Sequence, residues 1–289
     1  MIELRAGDLT TTWHPDAGMV CSSLRHRGEE LLGQRGGLEA YRERGAAFGI
    51  PLLAPWANRL DGLVLDGPDG PVALDPARVK VDGAGLPKDG LLAGVPWRVV
   101  ERAPDRLVAE HELTAEQQRW FPFPHRLRVA ASLTGEELAV ATTIEATGSV
   151  AVPVSFGWHP LFTLPGVPRA ALEVALPVGE ELELDARGIP TGRRIAPSWT
   201  DGPLGDRTVD AEYAATGAGF VLRGGGRTLT VAFGAPGYPI GHAWAPAGEA
   251  FVAWEPMTAP TNALRSGDGL RRVAPGEALT ATFVVGVTG

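Results

Sequence analysis

The sequence predicts an all-β protein, on three observations. Short alternating apolar and polar runs recur along the chain, turn residues separate them, and helical periodicity is scarce. Among 289 residues stand 38 glycines and 25 prolines, a composition that favours many turns over long helices.

The β-like runs, in order, are RLVAEHEL, HRLRVAASLTGEELAVATTIEAT, AALEVALPV, GFVLRGGGRTLTVAFG, AFVAW and ALTATFVVGV. The second and fourth read as hairpins, with TGEE and GGG at their turns. Only LEAYRERG and LTAEQQRWF carry helical signals, each enough for two or three turns. DARGIPTGRRIAPSWTDGPLG, from Asp185 to Gly205, is the longest stretch without periodicity and is expected to be a loop. No fixed-period repeat, low-complexity tract or composition break interrupts the chain, so one domain is expected over 1–289, built from two or more large packed sheets.

Charge and composition exclude several classes. The formal net charge of -8 is spread along the chain without a basic stripe, which argues against a nucleic-acid partner. Cys21 stands alone, so no intrachain disulfide or thiolate metal site is expected, and a reducing cytoplasm fits. Neither a signal peptide nor a membrane span is legible. The chain lacks GxxxxGK[ST], GxGxxG, HExxH and GxSxG patterns, which removes support for ATP chemistry, hydride transfer and serine hydrolysis. Gly224–Gly226 lies between two β runs and reads as a hairpin turn rather than a phosphate cradle.

Two stretches carry candidate chemistry. In VSFGWHPLFTL, Val154, Phe156 and Trp158 alternate with Ser155, Gly157 and His159, so the imidazole points away from the apolar face. In AFVAWEPMTAP, Val252 and Trp254 share one face, while Phe251, Ala253 and Glu255 share the other. Both His159 and Glu255 precede proline, which holds them in extended backbone and suits a positioned acid and base. Against this, TTWHPDAG repeats Trp-His-Pro near the start, and an isolated histidine is more often structural than catalytic. GIPLLAPWANRLDG sets Asn58 and Arg59 after a stiff turn; Arg59 could fork onto vicinal hydroxyls or a carboxylate, or form a plain surface ion pair. His125, His242, His14, His26 and His111 carry less weight, no metal site is expected, and Trp56, Trp120, Trp158 and Trp254 are core residues unless one is exposed for stacking.

GIPLLAPWANRL, GWHPLFTL, GIPTG, TVDAEYA and WEPMTAP stand in the order of the corresponding blocks of the aldose 1-epimerase (galactose mutarotase) family, which the chain resembles over nearly its whole length. The resemblance implies a large β-sandwich, a supersandwich of the galactose mutarotase type, that interconverts the anomers of a free sugar without a cofactor. It implies that Glu255 is the general base, His159 the general acid, and Arg59 and Asp210 substrate contacts, with Asn58 on the same wall. One departure stands out: where the family has a histidine in a His-Gly pair, this chain has Asp89-Gly90 ahead of Trp97. Aspartate accepts hydrogen bonds from hydroxyls, adds negative charge near Glu255 and is expected to raise the proton affinity of His159. A polar, shallow cleft with Arg59, Asp89 and Asp210 on its rim is expected. A small-molecule sugar is the expected partner; monomer and homodimer stay open. The alternatives are a glycosidase, a hexose-6-phosphate 1-epimerase, and a catalytically silent sugar-binding module.

Overall fold

The run from His125 to Ala146 folds as its periodicity predicts. His125–Leu133 and Glu137–Ala146 pair antiparallel with Leu133 opposite Leu138, and along both strands every second residue is buried. In the computed structural model, which describes residues 1–289, this hairpin lies within a nine-stranded antiparallel sheet. The strands Phe220–Gly224 and Arg227–Ala232 form its second hairpin, closed by the glycine triplet, and Ala278–Thr288 joins the two hairpins.

A second, eight-stranded sheet carries the site. Its path runs Pro190–Ile195, Val178–Leu184, Val209–Ala215, Ile240–Ala245, Val252–Met257, Gly157–Trp158 and Leu52–Leu53, with Leu161–Phe162 pairing beside Val252–Met257. A four-stranded sheet from Ile2 to Glu30 and two short two-stranded ribbons complete the strands, so the fold class is all-β as expected. Helix is confined to Gly37–Arg44, Ala263–Ser266 and three single 3₁₀ turns, and no helix is long and apolar enough to cross a membrane.

Aromatic side chains bind the two large sheets together. Trp158, from the eight-stranded sheet, meets Phe283 of the other at 5.8 Å, and its indole N–H donates to Thr142 Oγ1 at 3.0 Å. Trp254 stacks on Phe220 at 5.9 Å. Val154, Phe156, Trp158, Val252 and Trp254 all belong to one core of 60 buried residues, whereas Phe251 and Ala253 pack with Leu161 in a separate small cluster. Because successive strand residues face opposite ways, anchoring Trp158 and Trp254 in the core turns His159 and Glu255 to the outer face of the same sheet.

Three expectations are corrected. The stretch 185–205 is not one loop: Pro190–Ile195 is an edge strand on Val178–Leu184, and Gly202–Pro203 edges the larger sheet. Pro190–Ile195 has no buried residue, so it carries no apolar alternation for a sequence reading to find. LTAEQQRWF yields only the 3₁₀ turn Gln117–Arg119, followed at once by Pro122 and Pro124. VSFGWHP is interrupted rather than continuous, with Val152–Val154 paired to Arg271–Val273 and Gly157–Trp158 in the eight-stranded sheet. LEAYRERG does form the helix Gly37–Arg44, closed by Gly45 in the left-handed conformation.

Phe283 is fully buried at the junction of Trp158 and Tyr238. Phe283→Ala is expected to lower unfolding stability by roughly 3–5 kcal/mol, read from the urea midpoint at unchanged slope. A loss below roughly 1 kcal/mol would show that the inter-sheet core collapses around the gap.

Candidate active site

Strand register sets four ionisable side chains in one row. Glu212 lies opposite His242, and His242 opposite Glu255. Gly157 pairs with Met257 and Leu161 with Ala253, a register that brings His159 opposite Glu255. Directly opposed residues share one face of a sheet, so acid, base, acid and base alternate across four strands on the outer face. All four are buried.

The row is closely coupled. His159 Nε2 is 3.1 Å from Glu255 Oε1. His242 Nε2–H donates to Asp210 Oδ1 at 2.7 Å, and its Nδ1 is 3.9 Å from Glu212 Oε2. Glu212 is held in turn by the Thr261 amide, which donates to its Oε1 at 3.0 Å. The His159 amide donates to the Pro51 carbonyl at 3.0 Å, fixing the backbone just ahead of Pro160.

Two loops, 54–60 and 86–91, close one side of the cleft. They are stitched by hydrogen bonds from the Asp89 amide to Asn58 O and from the Leu91 amide to Ala54 O, with Arg59 bridging to Lys88. Asn58 and Asp89 both take left-handed backbone (φ 55° and 63°), which these residue types tolerate better than most. Gly90 has to be glycine: a Cβ there would sit 2.0 Å from the Ala54 carbonyl oxygen, at a φ of +74°.

The cleft encloses about 430 Å³ and its walls are mostly polar. His159, Glu255, Asn58, Arg59, Asp89 and Asp210, the six residues singled out from sequence, all line it. Their placement differs from the expected rim. Only Asp210 is exposed there. Asp89 is buried, with Lys80 Nζ 2.5 Å from its Oδ2. Arg59 is half-buried and partly engaged, donating from Nε to Asp82 at 2.7 Å and from a terminal nitrogen to Asn58 Oδ1 at 3.1 Å.

Several lining residues escaped the sequence reading. Lys80 and Lys88 join the cleft through the loops, and His242, which carried little weight, sits in its floor. A signal for His242 existed only in strand pairing with Glu255. Trp56, Trp158 and Trp254 are fully buried core, and Trp120 packs against the core. The aromatic wall of the cleft is instead Trp244, half-buried, with its ring edge-on to His159 at 5.6 Å. The Trp-His-Pro of the N-terminal region is structural, since His14 Nε2 is hydrogen-bonded to Ser22 Oγ at 2.9 Å.

Electrostatics separate the two histidines. Burial pushes His159 down to about 3, with Lys88 and Lys80 adding to the effect; Asp89 opposes it but does not prevail. Asp89 does act to raise His159 basicity, but the expected net rise does not occur, because burial first and then the lysines outweigh its charge. Burial also pulls on His242, but its bond to Asp210 and the carboxylates of Glu212 and Glu255 prevail and raise it to about 10. Asn58 Nδ2 approaches His242 Nδ1 at 3.4 Å, the long limit of a hydrogen bond, whereas carboxylates flank the ring on two sides; the cationic form is the one the site favours. Burial lifts Glu255 to about 7, against the opposing pull of His242 and Lys88. For Asp89, burial is outweighed by Lys88 and Lys80, and the carboxyl stays below its ordinary value.

Facing antiparallel sheets, with a buried carboxylate–imidazole pair on the outer face of one, define a β-sandwich of the galactose mutarotase type. A family model described as aldose 1-epimerase matches residues 2–286, and the chain belongs to that family. Among solved structures, a galactose mutarotase-like protein from Clostridium acetobutylicum superposes with a TM-score of 0.86 at 17% identity, over 99% of this chain and 94% of that one. A putative aldose 1-epimerase from Escherichia coli gives 0.79 at 20% identity, covering 99% and 98%. A galactose mutarotase/aldose epimerase homologue from C. elegans gives 0.82 at 17%, covering 99% and 98%. At such identities the likeness shows the fold alone. None of the curated proteins matches the chain.

The two histidines are distinguishable by side-chain nitrogen NMR. At pH 7, His242 is expected to show the imidazolium pattern and His159 the neutral one. Two neutral rings would remove the charge assigned to the floor of the cleft.

Proposed function

We propose that the protein is an aldose 1-epimerase that interconverts the α and β anomers of a free aldose by general acid–base catalysis. Glu255 is the base and His159 the acid, while Arg59, Asn58, Asp89 and Asp210 bind hydroxyls, Asp89 within its pair with Lys80. The observation that carries this reading is the 3.1 Å contact of His159 with Glu255, both buried in the floor of a polar cleft.

Anomer exchange takes a proton from the hydroxyl on C1 and delivers one to the ring oxygen, so the bond between C1 and the ring oxygen opens to an aldehyde. Rotation about C1–C2 and closure from the other face complete it. Glu255 receives the C1 proton as His159 gives its own to the ring oxygen; on closure both transfers reverse. The cycle therefore needs a pair that carries one proton. Below about pH 7 and above about pH 3 the His159–Glu255 pair holds one, which rests on Glu255; catalysis requires that it first cross the 3.1 Å contact to His159, leaving Glu255 ionised to act as the base. Asp210, exposed at the rim, and the forked Arg59 are oriented by His242 and Asp82 respectively, which suits directional recognition of hydroxyls. Trp244 offers a flat apolar face for a pyranose ring.

Polarimetry on freshly dissolved α-anomers of hexoses and pentoses tests the reading. Wild type is expected to accelerate mutarotation of at least one sugar, and Glu255→Gln and His159→Asn are each expected to cut turnover by roughly a hundredfold or more with little change in affinity. Undiminished turnover in either variant would remove that residue from its role. The rate is expected to fall as pH rises through about 7, where the pair loses its proton. A rate that instead climbs through that range to a plateau would leave Glu255 as the base and move the acid to His242.

A further inference from the structure

His159 borders two cavities. One is the polar cleft; the other, of about 260 Å³, adjoins it, and Lys80, Asp89 and His159 line both. Nε2 of His159 is engaged by Glu255, but Nδ1 is buried without a hydrogen-bond partner. Asp89 is divided in the same way: Oδ2 is held by Lys80 at 2.5 Å, while Oδ1 is buried and unpaired. Tyr41, from the helix Gly37–Arg44, lines the second cavity as well and has a buried, unpaired hydroxyl.

A proton count makes these unpaired atoms complementary. While the single proton of the pair rests on Glu255, the carboxyl donates to Nε2, so the neutral ring carries its own hydrogen on Nδ1. When that proton crosses to Nε2, Nδ1–H stays in place and the ring becomes cationic. Both states bury a donor at Nδ1, and a buried donor left without an acceptor is costly. Asp89 Oδ1 is an acceptor without a donor, on a carboxyl that Lys88 and Lys80 keep ionised. Among the charges that act on His159, Lys80, Lys88 and His242 oppose its protonation and Asp89 favours it; Glu255 is in contact. The two residues also share an anchor. The His159 amide donates to Pro51 O and the Asp89 amide to Asn58 O, both in the segment 51–58.

We propose that Asp89 is a positioning residue for His159, its Oδ1 accepting a hydrogen bond from Nδ1–H and supporting the imidazolium that ring opening requires, with the Tyr41 hydroxyl donating to the same oxygen. The proposal rests on the epimerase reading for its effect on turnover but not for the hydrogen bond. A carboxylate on the far nitrogen of an imidazole fixes its tautomer and orientation and stabilises the charge it gains on protonation. Asp89 itself takes part in no proton transfer: the proton passes from Glu255 to Nε2 and from Nε2 to the ring oxygen, while Nδ1 keeps its hydrogen throughout. Lys80, on the other carboxylate oxygen, anchors the group that orients the acid.

Asp89→Asn and the double variant Lys80→Met with Asp89→Asn separate this role from the ion pair. The first leaves Lys80 without its carboxylate; the second removes both charges and keeps the bulk of the wall. With anomer exchange followed by NMR on D-glucose and D-galactose, both variants are expected to lower kcat roughly ten- to a hundredfold, the size of one charge-assisted hydrogen bond. Wild-type kcat in the double variant would reduce Asp89 to a partner of Lys80, and a loss confined to KM would reduce it to a hydroxyl contact; either overturns the proposal. Nitrogen and proton NMR of the His159 ring reads the bond without sugar. At about pH 6, below the value near 7 at Glu255, wild type is expected to hold the hydrogen on Nδ1, with a downfield, slowly exchanging resonance that moves upfield in Asp89→Asn. A bare Nδ1 in wild type at that pH would overturn the proposal without any variant, so the decision stands even if the variants fail to fold. An Asp89-dependent Nδ1–H resonance in a protein that accelerates neither sugar nor any other aldose would sink the epimerase reading and leave this one standing. Anomer exchange that depends on Glu255 and His159, with an Nδ1 resonance indifferent to Asp89, would do the opposite.

Discussion

The site depends on one constraint, the register of four adjacent strands in the eight-stranded sheet. Glu212, His242, Glu255 and His159 come from chain segments up to a hundred residues apart and meet only because their strands pair without a slip. A one-residue shift in any strand would send its side chain to the core face and bring an apolar one to the cleft. Trp158 and Trp254 guard against that shift. Each immediately precedes a site residue and is locked into the aromatic core, so packing against Phe283 and Phe220 aims His159 and Glu255 the other way.

Burying such a row has an electrostatic cost, and the surrounding structure answers it by alternation. Each buried carboxylate has a cation or an imidazole beside it: Asp89 has Lys80, Glu212 has His242, Glu255 has His159. Removing one member of such a pair leaves an uncompensated buried charge, which destabilises more than the pair itself stabilises. The same alternation gives identical side chains opposite behaviour. His159 is held neutral by burial, reinforced by the lysines across the cleft, while His242, two strands away, is equally buried but flanked by carboxylates and is held charged. Asp89 belongs to this balance. Its charge is absorbed by Lys80 and Lys88, so a carboxylate at this position does not make that wall acidic.

Much of the fold was legible, and the reasons are local. Hairpins such as His125–Ala146 have one buried face, so their alternation is written in the sequence. Pro190–Ile195 has no buried face, and Gly157–Trp158 is buried on both, so neither shows the alternation that would mark it. The six candidate site residues were found by motif and resemblance. Lys80, Lys88, His242 and Trp244 were not, because nothing in their neighbours along the chain distinguishes them from a surface lysine, a core histidine or a core tryptophan.

By itself the sequence determined the fold class, the aldose 1-epimerase family and the directions in which Trp158–His159 and Trp254–Glu255 must point, because side-chain alternation and the stiffness before proline are properties of adjacent residues. Tertiary structure decided the charge of each histidine, the burial of Asp89, the aromatic wall and the lysines that line the cleft. Those depend on distances between residues remote in the chain and on how far each is removed from water, and electrostatic energy follows the folded separation and the local dielectric rather than the order of residues.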